Sequence, residues 1–328
     1  MVMWKQGVIF IVLGLFGFVF VLTSDVEAGG GHAYPNGAEA FMVAMMPPPG
    51  LALINYAYYG HAGKLRDDDG DDSHLLDDAD VGGDIVRLIW ISKYKLFGAN
   101  YGQHFFFGAI NKDMDFNAPV GSSLKKHYSD FNALYVIYSP MLLGWHLDQG
   151  RLHVAVSACD IYFPLYNEDK GNIASVGRNF WTFEPVLAVT YFPLPQLETS
   201  IKLMYDFNTH QNDYEPGPPV RVDRTPGQEF HFDFNISWGL TDSFRFGING
   251  YFYQQTTSDD FDHLGDLPNL LKQALKDIED DKSRAVALGP GIMYQHKNFM
   301  ATLRYSHEFA VKNGPELQNV WFKLIYIF

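Results

Sequence analysis

Polar and charged side chains recur in this sequence at every second position, each set between apolar neighbours. His231 and Asp233 alternate with Phe230, Phe232 and Phe234, while Lys202, Met204 and Asp206 alternate with Ile201, Leu203, Tyr205 and Phe207. A strand points successive side chains to opposite faces. Arg87, Lys93, Lys95, Glu184, Lys202, Met204, Asp206, His231, Asp233, Arg245, Arg304, Glu308 and Lys323 are therefore expected to share one polar surface. Both signs of charge are present, which argues against a simple cation or anion filter. Such a surface is either a polar conduit whose field orients dipolar solutes or a network whose members satisfy one another and hold the interior shut.

Other chemistries fit less well. The acidic run Asp67-Asp68-Asp69-Gly70-Asp71-Asp72 resembles a calcium loop, but an EF-hand needs acids at alternating positions and a closing Glu; Leu65 and the lack of that Glu break the pattern. A solvated loop, bridged by divalent ions to lipopolysaccharide, fits better. A hydrolase on a barrel wall needs Ser and His on one lipid-facing row, within hydrogen-bond reach. His231 and Ser237 instead share the polar row, and Ser306 and His307 are adjacent and face opposite ways, so no enzyme activity is predicted. Cys159, the one cysteine, falls on the polar row with His153, Ala155 and Ser157 and reads as packing. No cofactor and no metal site are predicted.

The elements that must carry these rows are strands with one face in an apolar medium. Strands are expected near 51–62, 84–96, 101–111, 132–146, 151–163, 180–193, 198–208, 228–239, 244–257, 284–296, 299–310 and 318–328. The connections alternate between long polar loops, such as RDDDGDDSHLLDDAD and HQNDYEPGPPVRVDRTPG, and tight turns, FGAN, DQG, LPQ, LTDS and HKN. Long loops on one side and short turns on the other predict an all-β fold, an antiparallel up-and-down transmembrane barrel of about twelve strands. Pro140, Pro185 and Pro290 fall inside strands. They predict bulges or kinks, because proline cannot donate to a ladder.

Composition agrees. Hydrophobic residues make up 47% of the 328 residues and aromatics 16%. Such aromatic enrichment favours strands. The net charge of −14 argues against nucleic acid as a partner. Lys5, an apolar run from Gly7 to Leu22 and the exit Val26-Glu27-Ala28 stand at the N-terminus. They have the pattern of a secretory signal peptide over 1–28, cleaved after Ala28, with an uncleaved membrane anchor as the alternative. Residues 29–50 follow as a plug before a barrel over 51–328. Within them Asn36 and Glu39 have capping-box spacing and predict a short helix over 36–46, stopped by PPPG. Phe41, Met42, Met45, Met46, Pro47, Pro48 and Pro49 form its soft apolar part, suited to variable apolar ligands. A second helix is expected over 267–281, with Leu267, Leu270, Leu271, Ala274, Leu275 and Ile278 on one face.

Several stretches resemble one family, the outer-membrane proteins associated with the meta-pathway of phenol degradation. They are AYPNGAEAFMVAMMPPPG, GRNFWTFEPVLAVTYF, IKLMYDFNTHQND, GQEFHFDF, GYFYQQTT, AVALGPGIMYQ and the closing VWFKLIYIF, and they span nearly all of the expected mature chain. The resemblance implies an outer-membrane barrel acting as a transporter of hydrophobic or aromatic compounds. It implies no catabolic chemistry in this chain and brings no site residues with it. The acidic loop LRDDDGDDSHLLDDAD departs from the family pattern.

The sequence thus predicts a bacterial outer-membrane channel for passive uptake of a small hydrophobic solute, surrounded by outer-membrane lipid and lipopolysaccharide. A structural or adhesive barrel without transport is the alternative. At the C-terminus Phe322, Leu324, Tyr326 and Phe328 form an apolar row ending on an aromatic residue, which resembles the signal read by the barrel insertion machinery. Deleting Phe328 is expected to lower the yield of assembled barrel before it alters transport. Normal yield of folded protein in membrane fractions would contradict the insertion-signal reading.

Overall fold

The computed structural model describes residues 10–13, 18–21, 34–117, 126–165, 169, 171–217, 220–262 and 264–328. The expected signal segment lies outside them, save that Phe10–Leu13 and Phe18–Val21 pair as a separate hairpin. Alternating apolar and polar residues fold into wall strands β1 (Gly50–Ala62), β2 (Leu76–Leu96), β3 (Ala99–Phe116), β4 (two legs, His127–Ala133 and Val136–Leu147), β5 (Leu152–Phe163) and β6 (Thr182–Tyr191). They continue as β7 (Leu197–Asn208), β8 (Glu229–Gly239), β9 (Phe244–Gln255), β10 (Arg284–His296), β11 (Phe299–Lys312) and β12 (Gln318–Ile327). Each strand pairs antiparallel with its sequence neighbours, and β12 pairs with β1, Ile325 opposite Ile54. The Phe328 amide donates to the Leu51 carbonyl at 3.0 Å and completes this seam. Closure leaves no unpaired edge in the wall, the condition for a sheet to stand in lipid.

The outer face carries the apolar rows. Leu187, Ile236, Ile248, Ile292 and Leu303 are exposed along its middle. Aromatics ring both ends: Tyr191, Trp238, Phe244, Tyr326 and Phe328 beside the short turns, and Tyr59, Trp181, Phe207 and Phe309 towards the long loops. An apolar band between two aromatic girdles is the outer surface of a transmembrane barrel. The short-turn end is drawn tight. At the β2–β3 turn Phe97 and Gly98 both have positive φ, 52° and 75°. Those values match the twist that a two-residue hairpin requires.

Two of the strand prolines make bulges. The register of β5 on β6 shifts at Glu184/Val186, around Pro185, and that of β3 on β4 shifts at Gly102/His104, opposite Pro140. The first bulge has a consequence for the inward row. A bulge places two residues of one strand opposite one of its partner and re-aims the side chains beyond it. Here the extra residue falls on β5 after Ser157, so Asp160 and Tyr162 turn inward and are buried while Cys159 leaves the row, contrary to the expectation from strict alternation. Across Pro290 the register continues without a shift, so the third expected bulge does not form.

The long-loop end is capped. Strands Gln211–Gly217, Val220–Thr225 and Asp260–Asp262 form a small sheet. Helix α1 (Asn269–Glu279) lays Leu271, Ala274, Leu275 and Ile278 against its Tyr214, Val220, Val222 and Phe261. The expected helical face is thus the buried one, except that Leu270 points to solvent. Just beyond α1 the Asp281 carboxyl is pushed up to about 6, by burial first and then by Asp68, Asp277, Asp280 and Asp67. A carboxyl that holds its proton more tightly when folded adds stability as pH falls through its folded value and loses it on ionising. Amide exchange in α1, corrected for intrinsic chemistry, should therefore be slower at about pH 5 than at about pH 7.5, and Asp281→Asn should remove the difference. An unchanged pH dependence in that variant would contradict the assignment.

Candidate functional site

Residues 34–49 run into the barrel from its short-turn end as a chain of turns. The helix expected over 36–46 does not form, and the capping-box glutamate has another task. Glu39 is the one charged residue in this stretch, and its carboxylate is nearly buried. It accepts hydrogen bonds from Tyr56 (2.7 Å) and Arg87 (3.0 Å) on one oxygen and from Lys323 (2.6 Å) on the other. Arg304 donates to the backbone carbonyls of Ala38 (2.8 Å) and Glu39 (3.3 Å). The wall reciprocates through Asp233, which accepts from the Tyr34 hydroxyl (2.8 Å) and the amides of Gly37 (2.8 Å) and Glu39 (3.0 Å). Lower down, Glu198 accepts from the Met42 amide at 2.7 Å, and Thr190 from the Ala44 amide at 3.2 Å.

Shape completes the seat. Gly37 has φ +78°, and a Cβ there would lie 2.8 Å from the Tyr251 ring. At Gly144 a Cβ would fall on the Met46 sulfur. Phe41 is buried against Met293, and Ala44 against Ala155 and Ala188. Met46 is buried with Ile54, Ile89, Ile91 and Leu142, whereas Met45, Pro48 and Pro49 are exposed at the mouth and Met42 and Pro47 are half-buried.

The structure places the residues of the polar row as follows. Glu184, Met204, Asp206, His231, Asp233, Arg245, Arg304, Glu308 and Lys323 are buried on the inner wall, and Arg87 and Lys202 are half-buried there. Lys93 and Lys95 are exposed instead, because the β2–β3 register slips between Ile91 and Lys95 at the short-turn end. The row is wired rather than open. Glu308 accepts from Tyr251 and from the Leu317 amide, and Arg245 pairs with Glu198 at 3.2 Å. Two inner groups outside the expected set, His104 and Asp160, extend the wiring, with Arg87 donating to His104 at 2.8 Å and His104 meeting Asp160 at 3.1 Å. Ser157 also donates to Asp160, at 2.5 Å. Ser157 and His104 thus both spend their hydrogen bonds on one carboxylate. A serine nucleophile would need the imidazole itself as its base, and this arrangement does not offer it.

Two plug residues that make these contacts, Tyr34 and Glu39, and the wall residue Glu198 lie outside the expected sites. A lone glutamate in an otherwise uncharged segment is a signal that could have found Glu39.

Comparison with known proteins fits this geometry. The profile of the family described as MetA-pathway of phenol degradation matches residues 62–324. The chain belongs to this family. No curated protein matches the sequence. Among solved structures, an outer membrane channel from Pseudomonas putida F1 is similar with a TM-score of 0.69 at 12% identity, over 88% of this chain and 98% of that one. The translocator domain of the autotransporter NalP from Neisseria meningitidis gives 0.46 at 12% identity, over 87% and 91%. A Pseudomonas aeruginosa FadL homologue gives 0.40 at 11%, over 90% and 93%. The first likeness establishes the fold, an outer-membrane barrel, and so sets the short turns at the periplasmic end.

Cavities border the plug of this family member. A periplasmic vestibule of about 310 Å³ runs between Met42, Met45 and Met46 and the wall, up to Glu39, Arg87 and Lys323. A pocket of about 70 Å³ lies above the plug tip between Tyr34, Tyr58, Arg178 and Trp321. The third, about 20 Å³, is lined inside by Tyr34, Tyr56 and Phe106 and outside by Phe107, beside Gly108, Leu134 and Tyr135. It lies where β4 is interrupted between its two legs.

Replacing Glu39 by Gln would leave buried cations without their anion, a loss of about 3–5 kcal/mol for a broken buried pair. Both Glu39→Gln and Gly144→Val should unseat the plug and raise single-channel conductance in planar bilayers. Conductance equal to the unsubstituted barrel in both variants would contradict the seating described here.

Proposed function

We propose that this protein is an outer-membrane channel for passive uptake of small hydrophobic or aromatic compounds, and that such a solute passes beside a seated plug and through the barrel wall. The observation that carries this reading is the narrow cavity at the break in β4. It runs from Tyr34 and Tyr56 in the lumen to Phe107 on the lipid face, and apart from Glu39 and the tyrosine hydroxyls its lining is apolar. Ligand sites are concavities lined by apolar and aromatic groups with few polar ones. The pocket above the plug shares Tyr34, Pro35, Leu134 and Tyr135 with it, which supports a route from that pocket to the lipid-facing wall. An ionic solute has no such route, since the straight path meets the Glu39 and Asp233 anchors.

The gap is smaller than an aromatic ring with Leu134 and Tyr135 in place, so passage requires Leu134 to turn out of the buried cluster and Tyr135 to turn off the Tyr162 ring. Between the legs the Leu134 amide donates to the Gly108 carbonyl of β3 at 2.8 Å, which leaves the segment little ladder to break. In this reading the surrounding partners are outer-membrane lipid and lipopolysaccharide, with the acidic loop end facing the latter.

Uptake measured in a deletion strain complemented with unsubstituted protein or with Leu134→Trp, across phenols, aromatic acids and fatty acids, tests the proposal. Restored uptake of apolar aromatics by the unsubstituted protein and loss of most of it in Leu134→Trp are expected. Identical uptake with and without the protein for every solute would sink the transport reading; full uptake by Leu134→Trp would sink the route.

A further inference from the structure

We infer that Glu184, Asp206 and His231 form a buried site for a first-row divalent transition metal, of the Zn²⁺ or Mn²⁺ kind, between β6, β7 and β8. The three side chains come from three adjacent strands, and each is fully buried. One donor atom from each lies within 4.8 Å of the others. His231 Nε2 stands 3.4 Å from Asp206 Oδ2 and 3.6 Å from Glu184 Oε2. Neither approach has hydrogen-bond geometry. Both His231 nitrogens, both Asp206 carboxylate oxygens and Glu184 Oε1 have no hydrogen-bond partner.

Buried polar atoms in folded proteins are nearly always paired, and each exception needs a cause. Here five such atoms lie on three side chains whose donor atoms come within 4.8 Å of one another, whereas other unpartnered atoms on the wall, such as Asn249 Nδ2 and Thr302 Oγ1, occur one to a residue. The remaining Glu184 oxygen accepts from the Tyr162 hydroxyl at 2.8 Å. Outer partners of this kind orient a metal-binding carboxylate. Asp206 faces Glu229 across the β7–β8 ladder, so three acids crowd one side of the lumen. Lys202 and Arg178 are the nearby cations, and Lys202 is drawn over the Tyr34 ring at 4.0 Å. An imidazole with two carboxylates suits zinc, manganese or ferrous iron better than calcium, which takes an all-oxygen set. The site also touches the plug, because the Tyr34 ring packs on His231 at 5.4 Å between centroids. A metal bound here would fix the ring on which the plug tip rests.

Two exposed groups, His61 with Asp78 and Asp80, and His127 with Asp113 and Asp115, could also hold a cation. The test therefore uses full-length, detergent-solubilised barrel in a His61→Ala, His127→Ala background, stripped with chelator and titrated with Zn²⁺, with Ca²⁺ as the comparison. One Zn²⁺ per chain is expected, weakened at least roughly tenfold by Glu184→Gln and by Asp206→Asn in chains that keep the heat-modifiable gel shift of a folded barrel. Co²⁺ gives a readout that needs no further variant: an intense four- or five-coordinate visible band from the background protein is expected. Zn²⁺ binding unchanged in both carboxamide variants, or a weak six-coordinate Co²⁺ spectrum, would overturn the site. So would the absence of bound Zn²⁺.

Discussion

One carboxylate, that of Glu39, sets the terms for the interior of this barrel. Arg87, Lys323 and Arg304 converge on the lumen from β2, β12 and β11, and two of them end on Glu39 while the third binds its backbone and that of Ala38. Inside a wall of low polarizability an unpaired cation is costly, and like charges at short range add to that cost. The wall by itself therefore leaves its cations in want of an anion, which the plug supplies. Asp233 shows the same dependence with the sign reversed, since all three of its donors come from plug residues. Barrel and plug are two halves of one charge pattern.

That pattern bears on the passage we propose. The centre line is taken up by the hydrogen-bonded Glu39 and Asp233 anchors, and Met46 packs against Gly144 on the periplasmic side. In the route we propose, an apolar solute leaves the charged centre line at the interrupted strand β4, between Phe107 and Tyr135. The break lies between the pairs Ala109–Ala133 and Phe106–Ile137, and Pro140, further along the second leg, withholds a ladder donor at a separate bulge. The pairing with β3 resumes on the far side of Leu134 and Tyr135.

The architecture was legible because the barrel repeats one rule, alternation, over every strand. A period of two needs no long-range information, so the rows holding His231, Asp233, Lys202 and Asp206 could be assigned to a face from their neighbours alone. Where the rule is interrupted the reading slipped. Pro185 announced a bulge, yet the sequence does not say on which strand the extra residue falls, and so Cys159 was placed inward and Asp160 was missed. Lys93 failed for a related reason, lying past the slip that begins after Ile91. Glu39 is the deeper case. Its spacing from Asn36 satisfied a local pattern for a helix cap, but its partner Lys323 is 284 residues away, and no local rule weighs a buried ion pair of that span against a turn of helix. The same distance hides the Glu184, Asp206 and His231 cluster, whose members were each visible on a row while their convergence was not.

The central claim is that the plug stays seated while solute passes. A disulfide between Ala44→Cys and Ala155→Cys, residues that pack together in the lumen, would fix it there in a Cys159→Ser background. Uptake of an apolar aromatic compound by the oxidised, tethered barrel, compared with the same protein after reduction, is the most direct measurement. Equal uptake in the two states is the predicted result. Uptake that vanishes on oxidation and returns on reduction would contradict the account and make departure of the plug the gating step.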